Sequence, residues 1–234
     1  ILSLTDVSKT QQLSPSAVLG VYFSSISMPT SVISGLRGIP QISPGSTSSA
    51  LDDKDLYKLF GRTVPNDDGT AIPLIAKLDS WDVNHLAVIY VDDSYGNAFM
   101  EGLVLAARKD APNMKIQTVN IIANPDRKTI RRAISKLAAT KYTYFFGILF
   151  DKYIDDIMTE AYDQGIAGTG RHNWIFSDGL KGYLDDHEFE AGSKLALAYR
   201  GIGVLSATGG IPGMTKYDKL DTSMQQLKNE ADLS

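Results

Sequence analysis

Apolar positions along the chain fall into two alternating patterns. Short continuous apolar runs predict buried strands, and sets spaced three and four apart predict amphipathic helices. The run 18–23 reads as a buried strand, and 25–36 as a helix that tolerates Pro29 in its first turn. Gln41 and Ile42 form a short extended piece after Pro40. Asp67 opens a helix whose apolar positions are Ile72, Ile75, Ala76 and Leu78. The unit then repeats in kind. Strands are expected over 85–91, 115–122, 142–150 and 174–177, with a late one over 199–205. Between them lie helices over 95–109, 126–139 and 154–162, the last ending near Gly165, a glycine suited to a helix C-terminus. The glycine-rich stretch 208–213 breaks the pattern, and 217–230 reads as helical. Strands alternating with helices predict a mainly parallel α/β sheet covered on both faces.

Composition narrows the class. The 234 residues suffice for one large domain or two small ones, and 43% hydrophobic with 21% charged residues marks an ordinary globular chain. A net charge of -4 offers no nucleic-acid footprint. The longest apolar run, 142–150, is too short to span a bilayer. No secretory signal is visible at Ile1, so either it has been removed or the chain is an internal fragment. The absence of cysteine excludes disulfides and thiolate chemistry. The three histidines, His85, His172 and His187, lack metal-ligand spacing, and no Gly-x-Ser-x-Gly elbow occurs. Gly165 to Gly170 follows a helix instead of opening one after a strand, which argues against a dinucleotide site. Asp92-Asp93 at a strand end and the run Asp52-Asp53-Lys54-Asp55 read as solvated loops. Neither a cofactor nor a metal is expected, and no nucleophile–base pair suggests an enzyme.

The chemistry-bearing residues cluster where open α/β sheets make their sites, beyond the carboxyl ends of strands and at helix N-termini. Ser25 and Tyr95 each follow a strand and open a helix, and Asp178 follows the strand at 174–177. A free α-amino acid needs hydroxyl and backbone N–H donors for its carboxylate, and carboxylates or an aromatic face for its ammonium. Ser25 and Thr47 supply hydroxyls, and Gly45 and Ser46 let the backbone approach closely. Asp67, Asp178 and the ring of Tyr95 supply the rest. Each has an ordinary structural role too. Ser25 and Asp67 suit helix caps, Asp178-Gly179 is a turn pair, and Tyr95 could pack in a core.

The blocks Phe23-Ser24-Ser25-Ile26, Ile39-Pro40-Gln41-Ile42 followed by Thr47, Arg62-Thr63-Val64-Pro65-Asn66-Asp67, Tyr95-Gly96 and Ser177-Asp178-Gly179 occur in that order. Together they resemble the ligand-binding region of class C G-protein-coupled receptors, particularly the metabotropic glutamate-type branch, and of related periplasmic-type binding proteins. The resemblance covers roughly 18–212 and implies a bilobed Venus-flytrap domain, α/β with parallel sheets flanked by helices. It places an incomplete first lobe over 1–66, a second lobe over 67–212 and the start of a return to the first lobe over 213–234. It implies a sensor that captures a small amino acid or an analogue between its lobes, on the extracellular side of a membrane receptor whose membrane part lies outside this chain. It also leaves open a homodimer through the first-lobe helix that carries Ile33 and Leu36. Other options are a soluble periplasmic amino-acid carrier, a peptide or γ-amino-acid ligand, or a degenerate lobe that only mediates subunit contacts. Pro44 and Gly45 replace larger residues of the family pattern, and Lys181 is the one base near Asp178-Gly179, so no clamp for a side-chain carboxylate is evident.

Overall fold

The computed structural model describes residues 15–205 and Thr222. Two all-parallel sheets organise them. The smaller has the order β1-β2-β3, with β1 at Val18–Leu19, β2 at Gln41–Ser43 and β3 at Phe60–Arg62. Helix α1, Ser24–Leu36, connects β1 to β2, and a 3-10 turn at Ser49–Asp52 lies between β2 and β3. Gln41 is paired with Val18 on one side and Phe60 on the other.

Helix α2, Asp68–Ser80, leads to the larger sheet. Its strands are β4 (His85–Val91), β5 (Lys115–Ile121), β6 (Tyr144–Ile148), β7 (Asn173–Phe176) and β8 (Gly203–Val204), in the order β5-β4-β6-β7-β8. Its helices are α3 (Ser94–Asp110), α4 (Arg127–Ala139) and α5 (Ile154–Asp163), then the short α6 (Lys181–Asp186) and α7 (Lys194–Ala198). Side chains alternate across β4. Leu86 and Val88 meet Leu74, Ile75, Phe99 and Leu103 of α2 and α3, whereas Ala87 and Ile89 meet Ile130, Ile134 and Ile157 of α4 and α5. Both faces are therefore covered, as the near-continuous apolar strands required.

Several sequence expectations shift. The run 18–23 is not a buried strand. Only Val18 and Leu19 pair, at the edge of the small sheet, and Leu19 is 81% exposed. Helix α1 begins one residue earlier than expected, at Ser24, which places Pro29 in its second turn. In α2 the buried positions are Ala71, Leu74, Ile75 and Leu78, while Ile72 and Ala76 face outward. The expected late strand over 199–205 shrinks to Gly203–Val204, because Tyr199 terminates α7. The expectations for 208–213 and 217–230 lie outside the described residues, Thr222 apart.

Candidate functional site

The order of the larger sheet fixes where a site can form. Strand order reverses between β4 and β6, because β4 is followed in sequence by β5 on one side while β6 and β7 extend on the other. The loops beyond these strands diverge there and leave a crevice. Tyr95 enters it from the N-terminus of α3, Phe150 from the end of β6 and Asp178 from the turn after β7. Asp93 caps α3 by accepting from the backbone N–H groups of Tyr95 and Gly96, both at 2.9 Å. A Cβ on Gly96 would stand 1.9 Å from the Val91 carbonyl oxygen, so only glycine lets α3 start this close to β4.

The small sheet supplies the opposite wall. A narrow inner pocket of about 30 Å³ is lined by Ser24, Gly45, Thr47, Tyr95, Phe150 and Asp178, together with Tyr22, Phe23 and Gly179. Gly45 permits this closure, because a Cβ there would meet the Tyr22 ring at 2.5 Å. The Ser24 hydroxyl accepts the Ser48 backbone N–H at 3.1 Å. The Thr47 carbonyl accepts the Asp67 N–H at 2.9 Å, which ties the loop after β2 to the start of α2.

The carboxyl groups give the site its electrostatic character. Asp67 is 1% exposed, and its Oδ2 has no hydrogen-bond partner. Its backbone occupies the N-cap position of α2, yet its side chain does not cap the helix. Burial pushes its carboxyl up to about 7; hydrogen bonding from Thr47 works against that and the nearby Asp178 adds to it. Burial also raises Asp178, against hydrogen bonding from Tyr95. The Tyr95 hydroxyl donates to Ser177 Oγ at 2.9 Å and lies 3.3 Å from Asp178 Oδ1. Burial first, then the two acids, hold its phenol well above the usual range. Burial therefore favours the neutral form of both acids beside an uncharged phenol.

Of the residues expected from the sequence, the structure gathers Gly45, Thr47, Tyr95 and Asp178 on one pocket, with Asp67 buried beside Thr47 and Asp178. Ser25 stands apart. It is exposed and faces a separate cavity of about 520 Å³ with Val91, Asp93 and Ile121. Successive helical residues point about 100° apart, so one of the serine pair faces the pocket, and it is Ser24. The Ser46 side chain is fully buried, 2.8 Å from Ser27 Oγ and 3.0 Å from the Tyr22 carbonyl oxygen, which fixes the loop and keeps the hydroxyl off the pocket. Sequence reasoning missed Ser24, Ser177 and the aromatic wall of Tyr22, Phe23 and Phe150. Phe150 was read as the end of an apolar strand, and its place just beyond β6 at the order reversal is the signal that could have found it. Among the described residues, no group of three or more acidic or histidine side chains could hold a metal, and no helix is long and apolar enough to cross a membrane.

Fold and site together define an α/β ligand-binding domain with its pocket between two parallel sheets. Residues 3–233 match the model of the receptor family ligand binding region, and the chain belongs to that family. This is a family of ligand-binding regions, not of enzymes. The chain is similar to the probable metabotropic glutamate receptor mgl-1 of Caenorhabditis elegans, 26% identical over 221 residues, which covers 89% of this chain and 21% of that protein. It is also similar to the metabotropic glutamate receptor of Drosophila melanogaster, 36% identical over 86 residues, covering 37% and 9% of the two chains. A third relative is metabotropic glutamate receptor 4 of Macaca fascicularis, 30% identical over 163 residues, 69% of this chain and 18% of that one. The chain thus spans about a fifth or less of the length of these curated relatives.

Proposed function

We propose that this receptor ligand-binding domain captures a small α-amino acid or a close analogue between two lobes. One lobe is built on the small sheet and the other on the large sheet, with Asp67 at the division. The Ser24 and Thr47 hydroxyls and the open backbone at Gly45 receive the ligand carboxylate. Asp67, Asp178 and the face of Tyr95 receive its ammonium. The observation that carries this reading is the buried Asp67 carboxyl with an unpartnered oxygen beside Asp178. An arriving ammonium supplies positive charge and donors. Contacts from both lobes favour a closed state only by the ligand's differential affinity for it. In the full protein, we place the domain on the extracellular side of a membrane receptor, as the relatives' names suggest. A homodimer through α1 would use Ile33 and the exposed Leu36.

The test is a thermal melt with each common L-amino acid. A ligand at ~100 times its Kd stabilises by about 2.7 kcal/mol, a rise of roughly 5–11 °C for a chain of this size. One or a few amino acids should raise the melt, and Thr47→Ala or Asp178→Ala should remove that rise. An amino-acid-induced rise that survives both substitutions would sink the assignment.

A further inference from the structure

We propose that the ligand is an α-amino acid with a cationic side chain, a guanidine or a second amine, held between aromatic rings and the carboxylates of Asp151 and Asp186. This rests on the amino-acid reading above and names the class of side chain. The inner pocket opens outward into a cavity of about 490 Å³, with which it shares Tyr22, Phe23, Phe150, Asp178 and Gly179. The inner pocket also adjoins a recess of about 300 Å³, with which it shares Tyr22, Thr47 and Asp178; the ligand side chain is assigned to the larger cavity of about 490 Å³. Its remaining lining includes Asp151, Tyr183, Asp186 and His187, and among the described residues neither lysine nor arginine lines it.

Among the described residues, the lysines and arginines near the cavity already have partners. Lys181, in the adjoining recess, pairs with Asp185. Arg62 turns away to the Ser46 and Ser48 carbonyl oxygens and to Asp52. Lys152 donates to Asn124 at 3.0 Å, in the separate cavity on the other side of Phe150. The exposed carboxylates of Asp151 and Asp186, by contrast, make no ion pair or side-chain hydrogen bond among the described residues, so the cavity wall offers two free carboxylates beside the Tyr22 hydroxyl and the His187 ring. Aromatic walls complete the match. Rings stack with the planar guanidinium and cover the aliphatic stem of a long basic side chain, while its head reaches the carboxylates. A ligand with a side-chain carboxylate would instead meet three acids and, among the described residues, no lysine or arginine.

Titration of the purified full chain with L-arginine, L-lysine, L-citrulline, L-norleucine and L-glutamate tests this. L-Citrulline keeps the shape of L-arginine without its charge. L-Arginine or L-lysine should bind at least about tenfold more tightly than its neutral partner, with L-glutamate weakest, and the preference should shrink as salt rises. The double variant Asp151→Asn, Asp186→Asn should remove the charge preference and bring L-arginine affinity close to that of L-citrulline. Equal affinity for L-arginine and L-citrulline, or tightest binding of L-glutamate, would overturn the proposal while amino-acid capture stands. Failure of every α-amino acid to bind would overturn both readings.

Discussion

The two sheets are held together by different chemistry. Around the larger sheet the interior is apolar and continuous on both faces, with Phe145, Phe146, Ile89, Leu103 and Ile134 essentially without exposure. Around the smaller sheet the apolar core is Leu51, Tyr57 and Phe60, with Met28 and Val32 against it. Ile39 apart, the rest of that interior is polar. Helix α1 turns Ser24, Ser27, Ser31 and Ser34 inward and leaves Ile26 and Leu36 outside, Leu36 at 83% exposure. Of these serines, Ser27 joins Gln41, Ser43 and Ser46 in a hydrogen-bonded seam that reaches the Val21 carbonyl oxygen from Ser27, Ser43 and Ser46. Apolar packing is non-directional and tolerant, whereas a buried polar network holds one geometry and fails when a member is lost. The large sheet thus supplies a stable platform for Tyr95, Phe150 and Asp178. The small sheet supplies the positioned loop that carries Gly45 and Thr47.

Breaking the platform should have the largest effect. Phe146→Ala removes a fully buried ring from the face under α3 and should cost about 3–5 kcal/mol. Chemical denaturation should show it as a lower midpoint with little change in slope.

Asp67→Asn sharpens the comparison at the boundary between the two halves. The folded carboxyl titrates near 7 against 3.8 for the unfolded group, so the folded state holds more protons between those values. Its contribution to stability is present below about pH 4 and is lost as pH rises through about 7. The Asn variant should therefore be more stable than the parent at pH 8, by about 4 kcal/mol, with no such gain at pH 4. Paired melts at the two pH values read this directly, and the same variant should lose amino-acid binding.

The seam gives the smallest of the three effects. Ser46→Ala should cost about 1–2 kcal/mol, felt as local loosening. Hydrogen exchange should accelerate across residues 41–48 while β4 and β6 keep their protection. Equal acceleration in both sheets would mean that the halves unfold as one unit.

The larger sheet was legible because its signals agree. Apolar runs at 85–91 and 142–150 and helical spacing at 126–139 each match the observed element within a few residues. The small sheet was less so. A helix that buries serine and exposes leucine inverts the usual pattern, and β1 has too few partners to bury its run. The site hydroxyl was read at Ser25 because it follows a strand and opens a helix, whereas Ser24 is the residue turned into the pocket. Thr47, Tyr95 and Asp178 were readable because each stands where a strand, a loop or a helix N-terminus ends in a polar residue. The aromatic wall was not, because Tyr22, Phe23 and Phe150 look like core in any linear pattern. Only the order reversal between β4 and β6 turns Phe150 into a pocket wall.

The central claim is that a ligand ammonium supplies positive charge beside Asp67. The direct measurement is calorimetric titration of the chain with its stabilising amino acid at pH 7, in two buffers of different ionisation enthalpy. Asp67 is then part protonated before binding, so an ammonium should drive off a fraction of a proton per ligand, and affinity should fall as pH drops below about 7. Binding with no proton release, at an affinity that Asp67→Asn leaves unchanged, would contradict the account.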